Sequence, residues 1–286
     1  MLVPRGGIDQ MRILTAAWAF VLALMLAAAP PASAGAVLDR IMANGVLRVA
    51  TDPAWPPFSF LDDNGQWQGF DPAVAREIGK RMGVQVEFVA PPWERITAGG
   101  WKGEWDVSVG GMSPTEDRAK HLAFPAIYTY SPSVLAVHKD NDTIVSPADA
   151  SGKRVGVLGE SIFEKYVRQQ PMGMAGEQPP VYRISNAEVV VFETSEAASD
   201  ELAKGSTARI DAMVDDIMYI LHLIKNGAPL KIVGQPLYYG PAAIAIEPGD
   251  PAFEKRLSEI IAAMHADGTL SALSTRYFSV DLTRKF

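Results

Sequence analysis

The chain contains no cysteine. That excludes disulfides, thiol catalysis, cysteine-ligated metals and lipid attachment through a cysteine at a cleavage site. There is no basic run, and 33 acidic residues outnumber 26 lysines and arginines, for a net charge of −7. This balance argues against nucleic acid and against adhesion to anionic lipid. The histidines, His121, His138, His222 and His265, are scattered with no metal spacing between them. HExxH, GxSxG and a phosphate loop ending in Lys-Ser or Lys-Thr are all missing. Beyond residue 34 no stretch approaches the length of a membrane helix, and no repeat of solenoid period is visible.

What is present begins with a targeting pattern. Arg12 precedes an apolar run over residues 13–29, followed by Pro30-Pro31-Ala32-Ser33-Ala34. Ala32-Ser33-Ala34 is a small-x-small cleavage site, so residues 1–34 read as a signal peptide and Gly35 as the mature start. The run is short for a membrane span and ends in breakers, which disfavours an uncleaved anchor. Met11 resembles a natural start, and Leu2-Val3-Pro4-Arg5-Gly6 resembles a protease-tag site, so residues 1–10 read as a misassigned start or a tag remnant. Cleavage leaves 252 residues with a net charge near −8, enough for one large or two modest α/β domains. An exported, unlipidated chain of this kind suits a bacterial periplasm.

Strand and helix patterns then alternate, which implies mostly parallel α/β sheets. Strands are expected over 46–50, 84–89, 105–109, 155–158, 188–193, 210–214 and 238–246. Helices are expected over 71–82, 93–102, 196–204, 217–225, 251–266 and 270–277, with glycines and caps at their ends. The segment Gly110-Gly111-Met112-Ser113-Pro114-Thr115-Glu116-Asp117-Arg118 is the most informative. Two glycines allow a sharp turn after the strand. Ser113, Pro114 and Glu116 compose a capping box, predicting a helix from this point. Strand, glycine turn and helix N-terminus would together present free N–H groups to an anion, and Arg118 adds a fork matched to a carboxylate. An ordinary strand-to-helix connection carries the same residues. A similar arrangement, with a second capping box, recurs at Gly159-Glu160-Ser161-Ile162-Phe163-Glu164.

Paired acids occur at Asp62-Asp63, a turn, and at Asp215-Asp216. The second pair fits a helix cap, a general acid/base pair or an ammonium site. Trp55, Phe58 and Trp93 lie just past strands or at a helix start, where open α/β sheets bind ligands. Trp67, Trp101 and Trp105 read as packing.

These blocks, in this order and spacing, resemble the bacterial periplasmic polar-amino-acid-binding proteins, solute receptors of ABC importers (extracellular solute-binding protein family 3). The likeness rests on Thr51-Asp52 with Trp55 and Pro57-Phe58, on Gly69-Phe70-Asp71, on Trp93, on residues 110–118, on 152–161 and on 211–216. Pro72 and Ala73 stand where that family usually has an aliphatic residue and an acid.

The resemblance implies an α/β fold of the type II periplasmic-binding-protein kind. Two lobes, each a mixed and mostly parallel sheet flanked by helices, would be joined by two crossing strands. Lobe one would span 36–135 plus 240–286, and lobe two 138–235. It implies that Arg118 grips a ligand α-carboxylate, with Ser113 and the backbone around Gly111 beside it. Asp216 would pair with the α-ammonium. Trp55 and Trp93 would wall the side-chain pocket, Asp52 would face a cationic ligand end, and Ser161 would contribute from the second lobe. Gly110-Gly111 replaces side-chain-bearing residues of some relatives, leaving fewer hydroxyls and more room. The expected ligand is a small zwitterion, an amino acid or derivative. The expected partners are an ABC permease and its ATPase subunits, with no nucleic acid, no metal and no cofactor, and the expected state is a monomer. The competing expectation is an exported dehydratase of the cyclohexadienyl type on the same scaffold, with Asp216 or Glu160 as acid/base group. A sensory domain is disfavoured because no signalling module follows in the sequence.

Overall fold

The computed structural model describes residues 35–174 and 176–285. The signal-peptide expectation for 1–34 lies outside them. Helix α1 (Ala36–Asn44) leads into β1 (Val46–Ala50), the short strands β2 (Ala54–Trp55), β3 (Ser59–Leu61) and β4 (Trp67–Gln68), then α2 (Phe70–Met82), β5 (Gln85–Val89), α3 (Trp93–Thr97) and β6 (Val107–Ser108). The long strand β7 (Ile127–His138) follows, then β8 (Arg154–Leu158), α4 (Ile162–Val167), β9 (Glu188–Phe192), α5 (Ser195–Ala203), β10 (Ala212–Asp216), α6 (Ile217–Lys225), the long β11 (Leu230–Ala243), α7 (Pro251–Ala266) and α8 (Thr269–Phe278).

These form the two-lobe α/β fold. In one sheet β1 pairs in parallel with β5 and β6. In a second, β8 pairs in parallel with β9 and β10, and β7 runs antiparallel to β10 and β11, while β2, β3 and β4 form a small antiparallel third. Apolar alternation explains β1, where Leu47 and Val49 are fully buried against Val74 and Ile78 of α2. Gly83, left-handed at φ 78°, closes that helix with its N–H on Gly79 and Lys80 carbonyls. Separate apolar cores gather Leu257 and Phe70 on one side, and Val155, Val157 and Tyr166 on the other. The antiparallel pair β7·β11 runs between them, with Ser131 opposite Gly240 and Ser133 opposite Tyr238. Among the described residues no helix is long and apolar enough to cross a membrane.

Two expectations fail for physical reasons. The helix expected over 93–102 stops at Thr97, because Gly99 and Gly100 take left-handed φ of 69° and 65° and Arg95 turns back onto their carbonyls. The helix expected from Ser113 does not form. Thr115 bridges Met174, and Glu116 donates its N–H to the Gly173 carbonyl, so long-range pairing takes the segment that local capping propensity would have made helical. Only a 3-10 turn, Arg118–Lys120, remains. The helix-dipole anion site is therefore replaced by a side-chain one.

Candidate functional site

Arg118 is the centre of the site. Its side chain is buried at 7% exposure. One nitrogen donates to the Ser113 carbonyl at 3.0 Å and another to the Glu160 carbonyl at 2.8 Å. The guanidinium lies 5.3 Å from the Trp93 ring centroid, a cation–π geometry. It forms no ion pair among the described residues, and burial lowers its pKa to about 10. A buried cation without a counter-charge is costly to fold and calls for an anionic guest. Glu160, held at φ 55° by its N–H bond to the Glu164 carboxylate, aims that carbonyl at Arg118.

Gly111, φ 67°, donates its N–H to the Tyr128 hydroxyl at 2.8 Å, and Tyr128 donates to Asp71 at 2.8 Å. Burial pushes the Asp71 carboxyl up to about 8. This relay fixes the glycine turn from beneath, and the Gly111 N–H is already spent within the protein. Above it lies Trp55, stacked on Phe58 at 4.1 Å. A Cβ on Gly111 would fall 2.6 Å from the Trp55 ring. Gly111→Ala is therefore expected to push Trp55 aside and strain the turn, weakening ligand binding about tenfold or more. Calorimetry checks this, and an unchanged affinity would remove Gly111 from the site.

Trp55 also donates its indole N–H to Asp215 at 3.1 Å. Asp215 accepts further from the Ser195 hydroxyl and the Asp216 N–H. Burial raises Asp215 to about 6 and its neighbour Asp216 to about 7. Asp216 caps α6 by accepting from the Met218 N–H at 2.8 Å. Asp52 caps the Ala54 N–H, and burial raises its pKa too. Ser161 caps α4, its oxygen accepting from the Glu164 N–H while donating to the Leu158 carbonyl. None of Asp52, Asp215 or Asp216 has a cationic partner among the described residues.

The structure gathers Asp52, Trp55, Trp93, Gly111, Ser113, Arg118 and Ser161 around one small cavity of about 40 Å³, with Leu158, Ile162, Phe163 and Ser195. Asp216 lines a second cavity of about 40 Å³ that shares Trp55, Gly111, Ser113, Ile162 and Phe163 with the first. An outer groove of about 600 Å³ reaches Arg118 from the surface between Glu94, Asp117 and Lys165. Sequence reasoning missed Ser195, Tyr128 and Tyr238, which carry no local motif, and left Asp215 only as half of an acidic pair. No cluster of His, Cys, Asp or Glu suited to a metal occurs among the described residues.

Comparison with known proteins gives a consistent answer. L-cystine-binding protein TcyJ of Escherichia coli (strain K12) is 28% identical over 250 residues, covering 87% of this chain and 88% of that protein. An ancestral arginine-binding protein bound to arginine superimposes with TM-score 0.72 at 33% identity, covering 82% of this chain and 98% of that one. An ancestral amino-acid-binding protein, a precursor of cyclohexadienyl dehydratase, does so with TM-score 0.73 at 32% identity, covering 84% and 99%. The bacterial extracellular solute-binding proteins, family 3, match residues 47–280, and the chain belongs to that family.

Proposed function

We propose that this protein is a periplasmic receptor that captures an amino acid or amino-acid derivative between its lobes and delivers it to an ABC permease driven by ATPase subunits. The observation that carries this reading is Arg118, buried, without an ion pair among the described residues, and lining the cavity. Arg118 grips the α-carboxylate beside Ser113 and Gly111. Asp216 takes the α-ammonium, and Trp55, Trp93, Asp52 and Ser161 surround the side chain. Names of relatives support the ligand class, since they bind cystine and arginine.

The lobes take residues 36–135 with 240–286, and 138–235. The separate apolar cores support that division. The receptor acts as a monomer. Residues 1–34 direct export and are removed. Arg118 and Asp216 lie on opposite lobes, so closure completes the site and the ligand stabilises the closed form through its differential contacts.

Asp52 and Asp216 line the two cavities beside one buried arginine, so a ligand with a second cationic group balances the cleft best. A thermal-shift screen against the common L-amino acids, ornithine and cystine tests the reading, since native-state binding raises the melting temperature. Cationic members are expected to give the largest shifts, and a panel with no shift would overturn it. Binding without turnover is the expected behaviour. The neighbour that is a precursor of a dehydratase gives the alternative its basis, and product formed from prephenate or arogenate would establish that alternative instead.

A further inference from the structure

Behind Trp55, the cavity that holds Asp216 is walled by hydroxyls from the paired strands β7 and β11. Ser131 stands opposite Gly240, and Tyr238 opposite Ser133. Ser131 is 9% exposed and Tyr238 is 7% exposed. The Ser131 hydroxyl lies against the Asp216 carboxylate and the Tyr238 hydroxyl against Ser133, but neither reaches full hydrogen-bond geometry. Buried hydroxyls are almost always well paired, so two with only weak partners, facing one small cavity, keep lone pairs free for a guest. The guest's chemistry follows from the set. A carboxylate and two hydroxyls can all accept, and Asp216 has one oxygen committed to the Met218 N–H. A group with several N–H donors and a positive charge suits them. The place is also right. This cavity shares Trp55, Gly111, Ser113, Ile162 and Phe163 with the one that Arg118 lines, so the donor group sits next to a carboxylate held by Arg118. Gly110 and Gly111 bring no hydroxyl to this region, and the hinge strands supply two.

We infer that Ser131 and Tyr238 complete the ammonium site begun by Asp216, making the protein selective for a primary over an N-alkylated amino group. This rests on the amino-acid reading above and adds residues outside its proposed clamp. A primary ammonium offers three N–H groups, one for Asp216 and one for each hydroxyl. N-methylation removes a donor and places a methyl against two hydroxyl oxygens that it cannot satisfy. Located in the hinge pair, both hydroxyls are fixed by strand register rather than by closure, so they preorganise the site.

The test uses the tightest binder from the thermal-shift panel and its Nα-methyl derivative, measured by titration calorimetry on wild type, Ser131→Ala, Tyr238→Phe and the double variant. Wild type is expected to favour the primary amine by about tenfold or more, each single variant to lose roughly tenfold in affinity for it, and the double variant to bind both forms nearly alike, since hydrogen bonds to a charged group carry effects of this size. The preference ratio distinguishes ammonium contact from general damage, which would weaken both probes equally. Should the double variant fail to fold, Tyr238→Phe carries the test, because it removes one oxygen and leaves the packing. Unchanged affinity and an unchanged ratio in the variants would overturn the inference while leaving the receptor reading intact. No binding of any panel member to wild type would overturn both.

Discussion

Arg118→Ala is expected to abolish binding of every amino acid that the wild-type protein takes up, with a loss of about 2–5 kcal/mol. The size follows from burial. The guanidinium is enclosed, stacked near Trp93 and held by the Ser113 and Glu160 carbonyls, with no carboxylate of its own. A ligand carboxylate arriving in that cavity leaves water for a fixed, bidentate donor in a poorly screened place. Without the arginine the carboxylate would be buried unpaired, which is the larger part of the penalty. Arg118→Lys is expected to recover little, since a single ammonium cannot bind two carbonyls and a carboxylate in one plane. The apo fold should survive, because the variant removes a buried charge that has no ion pair among the described residues. Titration calorimetry reads the affinity and a thermal melt reads the fold. Undiminished binding by the alanine variant would remove Arg118 as the carboxylate grip.

Arg118 stands out in the sequence because it follows a double glycine at a fixed spacing. Its surroundings do not. Ser113-Pro114-Thr115-Glu116 is a sound helix start by local propensity, yet Gly173 and Met174 claim its backbone from elsewhere in the chain. Local rules succeed where nothing distant competes. The helices Ile217–Lys225 and Pro251–Ala266 begin and end where their caps and apolar spacing place them, with Asp216 and Asp250 accepting from the first turns. Strand Val46–Ala50 is likewise legible from alternation. The contacts that shape the site were out of reach of such rules. Trp55 meets Asp215 across 160 positions, Tyr128 meets Asp71 across 57, and the pairing of β7 with β11 brings Ser131 and Tyr238 to one wall. Each depends on topology, and no residue within a few positions signals it.

Asp216→Asn should remove binding nearly as completely as loss of Arg118, and it should also remove the part of the pH dependence that Asp216 carries. Burial raises the Asp216 pKa to about 7 and that of Asp215 to about 6, from an ordinary value of 3.8. The sign follows from proton counting. Between 3.8 and these raised values the folded state holds protons that the unfolded state has released. These two acids therefore cost the ligand-free protein stability as pH rises through that window, their full cost being present above about 7, and Asp71, raised to about 8, adds a cost of its own that extends higher. Ligand binding runs the other way. An ammonium needs the ionised carboxylate, so affinity should climb from pH 5 towards pH 8, with protons released on binding. Calorimetry near pH 6 in two buffers of different ionisation enthalpy measures that release directly. Asn at 216 carries no charge to bury, so the apo protein should melt higher than wild type at pH 8 and at a similar temperature at pH 5. It also offers the ammonium only a neutral carbonyl, and a loss of about 2–5 kcal/mol is expected at neutral pH. Asp215 and Asp71 remain in the variant and keep their own titrations, near 6 and near 8. An Asn variant that binds as tightly as wild type, or that keeps the wild-type proton release, would place the ammonium against another acid, with Asp215 the nearest alternative.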